Sequence, residues 1–203
     1  NTKYESACFV FNSIVAFTML ILFSMLYLLE INVSVNKYEA ALEELSRIAN
    51  IDSLTGLITR RKMMEHLKMA YEEEKNYSII VCDIDDFKLI NDTYGHDCGD
   101  QILINTTAIF KSIESDNNIV CRWGGEEILI LSFDNRDKVL SMAEYIRKTV
   151  EENKTVYNNK EVSVTITMGV SRVMPGEVVD DTIIRADEKL YKGKNNGKNC
   201  IIK

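Results

Sequence analysis

One feature limits this chain more than any other: an uncharged run near its start. Between Ser6 and Leu29 there is no Asp, Glu, Lys or Arg, and Cys8 to Leu29 reads CFVFNSIVAFTMLILFSMLYLL. A helix of about 20 apolar residues spans the hydrocarbon core of a bilayer. A soluble helix that long carries a polar stripe; Asn12, Ser13, Thr18 and Ser24 are too few and too mild to make one. A secretory signal has a shorter apolar core, about 7–15 residues, and a small-residue cleavage site. This run ends instead at Leu28, Leu29 and Glu30. The sequence therefore predicts a transmembrane helix over 8–29, with 1–7 as its flank. Lys37, Arg47, Arg60, Arg61 and Lys62 follow the run, and only Lys3 precedes it. Positive charge marks the cytoplasmic side, so everything after the helix is expected in the cytoplasm. Because the first residue is Asn1 and not Met, further protein is expected before it.

The segment 30–50 has apolar residues at Ile31, Val35, Tyr38, Leu42, Leu45 and Ala49, alternating by four and three. That is a heptad seam. It is under three heptads long, too short to stand alone, but tethered to a membrane helix it is expected to hold two chains parallel. The competing expectation is an amphipathic helix packed on its own domain.

From 51 to 203 the pattern is globular. A helix is expected over 59–75, with Met63, Met64, Leu67 and Tyr71 on its inner face. A strand follows over 77–82, a helix over 100–113 with Ile102, Leu103, Thr106, Ile109 and Phe110 inward, and strands over 118–123 and 127–132. A helix over 136–152, a long alternating strand over 162–173, a helix over 181–191 and an edge strand over 200–202 complete the set. Strands alternating with helices, plus hairpins, predict an α/β or α+β sheet with helices on one side. The net charge of −7 argues against nucleic acid, whose binding needs a basic footprint. It leaves a nucleotide open as substrate. The five cysteines include no CxxC pair and suit small buried hydrophobes in a reducing compartment.

Carboxylates concentrate at two strand ends. VCDIDDFK (81–88) delivers Asp83, Asp85 and Asp86 at the end of an apolar strand. RWGGEEILIL (122–131) sets Glu126 and Glu127 at a Gly-Gly turn. Hard oxygen ligands of this kind suit Mg2+. An EF-hand loop is excluded, because its fifth and sixth positions would be Phe87 and Lys88 in place of Asp or Asn and Gly. No phosphate-binding GxxxxGK[ST] loop occurs.

RWGGEEIL resembles the signature of the GGDEF family, the diguanylate cyclases, in a GGEE variant. Other stretches resemble that family in order: DSLTGLITRR (52–61), DIDDFKLINDTYGHDCGDQIL (83–103), TITMGVS (165–171) and ADEKLYKGKNNGKN (186–199). The resemblance covers 51–203. It implies a fold like the palm of nucleotide cyclases and some polymerases, with a central, mainly antiparallel sheet ringed by helices. It implies a homodimer that condenses two GTP into cyclic di-GMP, with Mg2+ or Mn2+, two ions per active site; with the apolar run 8–29, the expected location is a bacterial inner membrane. By the resemblance, Asp83, the Ile84 carbonyl and Glu126 are metal ligands, and Glu127 is the second acidic residue of the signature. Gly124 and Gly125 let the nucleotide approach the turn. Asn91 and Asp100 resemble guanine readers and His96 a pocket residue. Lys194 and Lys198 resemble phosphate-binding residues, with Lys198 where Arg is common.

Three departures stand out. Ile128 replaces a usual Phe and Thr59 a usual Asn. The window of the family's RxxD product-inhibition motif reads Ser115-Asp116-Asn117-Asn118, so feedback through that site is expected to be lost. The second function considered is a non-catalytic GGDEF module that binds nucleotide. Degenerate modules of that kind usually keep RxxD and lose the acidic signature, the reverse of this chain.

Overall fold

The computed structural model describes residues 15, 17–38 and 50–203, in two units divided between Arg47 and Ile48. In the first, helix α1 runs Phe17–Tyr38 and is long and apolar enough to cross a membrane by length and composition. The Thr18 and Ser24 hydroxyls donate to the carbonyls of Val15 and Ile21, so these polar groups are satisfied within the helix itself. Residues 8–14 and 16 of the expected span lie outside the described residues. So do Leu42, Leu45 and Ala49 of the seam. Ile31, Val35 and Tyr38 continue α1 without a break.

The second unit is built on a six-stranded sheet. Its strands are β1 (Ile58–Thr59), β2 (Ser78–Ile84), β3 (Asn118–Gly124), β4 (Glu127–Ser132), β7 (Ile166–Arg172) and β8 (Ile201–Ile202), in the order β1-β3-β4-β2-β7-β8. The inner pairs are antiparallel; the edge strands β1 and β8 join in parallel. A separate hairpin, β5 (Lys154–Tyr157) with β6 (Lys160–Ser163), turns at Asn158 and Asn159, both at positive φ. Asparagine tolerates that backbone better than most residues.

The central strand dictates the layers. In β2, Ile80, Cys82 and Ile84 point into one apolar cluster, and Ile79 and Val81 into another. A strand apolar on both faces must be covered on both. Helices α4 (His96–Lys111) and α5 (Arg136–Glu152) cover the first face with Ile102, Phe110, Ala143 and Ile146. Helices α2 (Arg60–Glu72) and α6 (Val179–Asn195) cover the second with Met63, Leu67, Ala186 and Leu190. The helices therefore lie on two sides, not one, and the ringed sheet that the resemblance implied is the observed arrangement.

Several local expectations change. The inner face of α2 is Met63, Leu67 and Ala70, while Met64 and Tyr71 are exposed. An i, i+4, i+7 stripe meets the sheet, and Met64 and Tyr71 fall beside it. The alternating run 162–173 is interrupted: β6 ends at Ser163 and β7 starts at Ile166. There the Thr165 carbonyl accepts from the Asp85 N–H instead of extending a ladder. The short helix α3 (Phe87–Tyr94) was not expected from the pattern, and α4 begins at His96, before the predicted Asp100. Gly169 on β7 admits α6 closely; a Cβ there would stand 1.9 Å from the Ala186 carbonyl oxygen. Cys82, Cys98 and Cys121 are buried, as small hydrophobes.

Candidate active site

The site forms where β2, the β3–β4 hairpin and the end of α6 meet. In register, Asp83 of β2 lies opposite Glu127 of β4, and opposite Thr167 of β7 on its other side. Directly opposed residues on antiparallel strands hold their Cβ atoms about 4.5–5.5 Å apart. Gly124 pairs with Glu127 after a register shift between Arg122 and Gly124, leaving Glu126 at the turn. A Cβ on Gly124 would come within 2.8 Å of a Glu127 carboxylate oxygen, whereas Gly125 has open space beside it.

These carboxylates feel one another. Burial raises the Asp83 carboxyl above its usual range, and Glu126 and Asp85 push the same way against the pull of Lys194. Burial also raises Glu127, helped by Asp83, Asp187 and Glu126 and opposed by Arg60. Arg60 itself lies over the Trp123 ring, 4.2 Å from its centroid.

Two braces hold the site. The Arg122 side chain donates to the Gly125 carbonyl at 3.0 Å and to both Asp52 carboxylate oxygens, at 3.0 and 3.1 Å. Asp52 also accepts from the N–H and hydroxyl of Thr55. The entry segment and the Gly-Gly turn, 70 residues apart, are thus pinned together. The second brace is the C-terminal segment. The Lys194 ammonium contacts the Asp83 carboxylate and donates to an Asp85 oxygen at 2.7 Å; Lys198 reaches Asp86 at 2.5 Å.

Asp85, one of the three carboxylates at this strand end, is a hub of hydrogen bonds within the protein. It is 4% exposed and accepts from the Thr165 and Thr167 hydroxyls, the Asn199 N–H and Lys194. Burial would raise its carboxyl, but these donors hold it below its ordinary value. The signal was present in the DIDD run; what it lacked was knowledge that β7 and the end of α6 converge there.

Asn91, His96 and Asp100 lie together along α3 and α4. A Cβ on Gly99 would stand 2.0 Å from the Asn91 side-chain oxygen, so Asn91 lies directly over Gly99, next to Asp100. His96 opens α4 with Asp100 one turn on, both exposed. Ile84 is the last residue of β2 and is buried. No hydrogen bond or ion pair among the described residues joins Asn91, His96 or Asp100 to the Asp83–Glu127 pair.

Among the described residues, no three His, Cys, Asp or Glu side chains gather at ligand distance round one point. The donor chemistry still fits a hard divalent cation. Burial and neighbouring carboxylates raise the Asp83 and Glu127 carboxyls, and a protein cation, the Lys194 ammonium, already sits on Asp83 and Asp85.

The chain is similar to known proteins over the residues that carry this site. The model of the diguanylate cyclase GGDEF domain matches residues 49–200. Diguanylate cyclase A of Treponema denticola is 41% identical over 144 residues, 68% of this chain and 39% of that protein. A diguanylate cyclase of Vibrio cholerae is 38% identical over 167 residues, 79% of this chain and 51% of that one. The chain thus spans about half, or less, of the length of these curated relatives. Among solved structures, the coiled coil and GGDEF domain of DgcB from Caulobacter crescentus, in complex with c-di-GMP, superposes with a TM-score of 0.80. Identity is 27%, over 86% of this chain and 96% of that one. The active GGEEF domain of a Vibrio cholerae diguanylate cyclase gives 0.64 at 34% identity, over 72% of this chain and 98% of that one. With the acidic strand ends, the Gly-Gly hairpin and the family match all falling within 49–200, the chain belongs to the GGDEF domain family.

Proposed function

We propose that this chain is a diguanylate cyclase: two GTP molecules, one on each of two subunits, become cyclic di-GMP and two pyrophosphates. Each 3′-hydroxyl oxygen forms a bond to the partner nucleotide's α-phosphorus, the bond to pyrophosphate breaks, and the hydroxyl proton is lost. The observation that carries this reading is the register pairing of Asp83 with Glu127 beside Glu126.

Asp83, the Ile84 carbonyl and Glu126 would hold Mg2+ or Mn2+, with Glu127 assisting. When bound, a pair of such ions stabilises the attacking and leaving oxygens. This chain's residues do the rest. Glu127, whose carboxyl burial raises above its ordinary value, would take the hydroxyl proton as general base. Lys194 and Lys198 neutralise phosphate charge, Lys198 as a point charge in place of a guanidinium fork. Gly124 and Gly125 let phosphates approach backbone N–H groups. Asn91 and Asp100 read guanine, since a carboxylate accepts from the guanine N1–H and N2 amino edge that adenine lacks. The reading includes a homodimer, because one subunit carries half of a two-nucleotide site, and a membrane anchor through 8–29 with the GGDEF unit in the cytoplasm.

The test is incubation of the full chain, in detergent and at dimerising concentration, with GTP and Mg2+ or Mn2+. Formation of cyclic di-GMP supports the proposal. A folded protein that binds GTP yet makes no product would overturn it in favour of a non-catalytic binding module.

A further inference from the structure

The β2–β7 pair has two ends. Asp83 opposite Thr167 marks the catalytic end, and Ser78 opposite Arg172 marks the other. At about 3.3 Å per residue, five residues of β2 separate them by about 17 Å. Against the far end lies a cavity of about 320 Å³ lined by Arg136, Arg172, Arg185, Lys189 and Lys203, with apolar walls from α5 and β7 and no Asp or Glu side chain.

Among the described residues, Arg185 alone of these five cations makes an ion pair. Arg185 is clasped by Glu177 at 2.7 and 2.6 Å. Arg136 and Arg172 are exposed and make no ion pair among the described residues. The Lys189 ammonium donates to the Val170 carbonyl at 2.7 Å and the Ser171 hydroxyl at 3.0 Å, neither of them charged. Burial depresses the Lys189 pKa, and Arg185 and Arg136 depress it further, so these cations feel one another's charge. Arg136 is also the first residue of α5, where the helix dipole adds positive potential. Clustered positive charge is costly unless an anion joins it, and here it collects on a chain of net charge −7.

We propose that this cavity is a phosphate-binding site, distinct from the catalytic end, taking a phosphate group carried by a small soluble molecule or by a lipid headgroup. Two guanidinium forks suit the bidentate geometry of phosphate oxygens, and Lys189 supplies a third donor from the cavity floor. The volume leaves room for a small organic portion beside the phosphate. The site stands whether or not the chain is a cyclase.

The test uses the full chain in neutral detergent, with divalent metals chelated and radiolabelled inorganic phosphate in equilibrium dialysis. Arg136→Gln, Arg172→Gln and Lys189→Met are each expected to bind about tenfold more weakly than the parent, which is about 1.4 kcal/mol. The Arg136 and Arg172 side chains make no hydrogen bond or ion pair among the described residues, and circular dichroism checks that the fold is kept. Absence of binding by the parent overturns the proposal, as does equal binding by all three variants. Loss in Lys194→Met with none in Arg136→Gln would assign the phosphate to the catalytic end and overturn it too. Repeating the dialysis in nanodiscs identifies the source. Competition by phosphatidylglycerol, absent with phosphatidylcholine, supports a lipid headgroup at the site; undiminished binding in both supports a soluble phosphate.

Discussion

Asp83 and Glu127 stand opposite each other in an antiparallel ladder, a position where like charges weaken a sheet. The fold holds them there with buried strands on both sides: Cys82 and Ile128 beside them are fully buried. The backbone positions of both residues are therefore set by core strands. The charge of Glu126, at the turn, pushes both of these carboxyls up.

Glu126→Gln is therefore expected to remove turnover and spare the fold. Among the described residues, the Glu126 side chain makes no hydrogen bond; the turn is held by Arg122 and Asp52. The rate of cyclic di-GMP formation should fall by about a hundredfold or more, the scale of losing one group that manages transition-state charge. The Tm should stay close to the parent's, as for a surface substitution of about 0.5 kcal/mol or less. A near-normal rate would refute the assignment.

Gly99 and Gly169 should respond differently to alanine. At Gly169 the new Cβ meets backbone, 1.9 Å from the Ala186 carbonyl oxygen and 2.5 Å from the Leu190 nitrogen. Only separation of α6 from β7 relieves that, and overpacking of this kind costs about 1–3 kcal/mol. At Gly99 the clash is with the tip of Asn91, which can swing aside. Gly99→Ala should thus leave Tm nearly unchanged and raise KM for GTP, with little change in kcat. Thermal melts and steady-state kinetics on both variants separate the two effects. A KM unchanged in Gly99→Ala would argue against Asn91 as a nucleotide reader.

Much of this was legible in the sequence, and the failures share a cause. The hairpin over 118–132, the apolar β2 and the acidic strand ends follow from period-two patterning and turn chemistry. Whether helices covered one face or two was not legible from the strands as read. It required noticing that β2 is apolar at consecutive positions, 79 through 82, so that neither face is polar. The break between β6 and β7 was hidden because Val164 and Thr165 continue the alternation; what ends the strand is a tertiary partner, Asp85. Asp85 was visible as a residue and invisible as a hub, because its four donors come from segments about 80 to 114 residues away.

Glu177 gives the molecule an acid-sensitive clasp. Arg185 holds its carboxyl down to about 2, with the Met174 N–H and Thr182 hydroxyl assisting and burial opposing. A carboxylate with a depressed folded pKa contributes stability that is complete above its unfolded value, about 4.3, and is lost as pH falls through about 2. Glu177→Gln should accordingly lower stability at pH 7 by about 1 kcal/mol, a partly exposed pair being weakened by solvent. That deficit should shrink steadily below about pH 4. Urea denaturation of parent and variant from pH 7 to pH 3 measures it; a deficit independent of pH would mean that packing, not charge, is what Glu177 supplies.

The window 115–118 makes a prediction about regulation. Ser115 and Asn118 are bridged to each other through their backbones, and the Asn118 side chain donates to Ser115 and to Asp134. Asn117 donates to Asp134 as well. The amide donors that could meet a phosphate are thus committed to a carboxylate, and that carboxylate would repel an incoming phosphodiester. Without an arginine in the window, no charge offsets the repulsion. Cyclic di-GMP added to the purified chain should leave the initial rate of GTP consumption unchanged through the micromolar range. Placing the missing pair, Ser115→Arg with Asn118→Asp, should not by itself create tight inhibition, because Asp134 remains beside the site; adding Asp134→Ala should strengthen it. Submicromolar inhibition of the parent chain would show that the product is gripped elsewhere, and that this window never governed feedback.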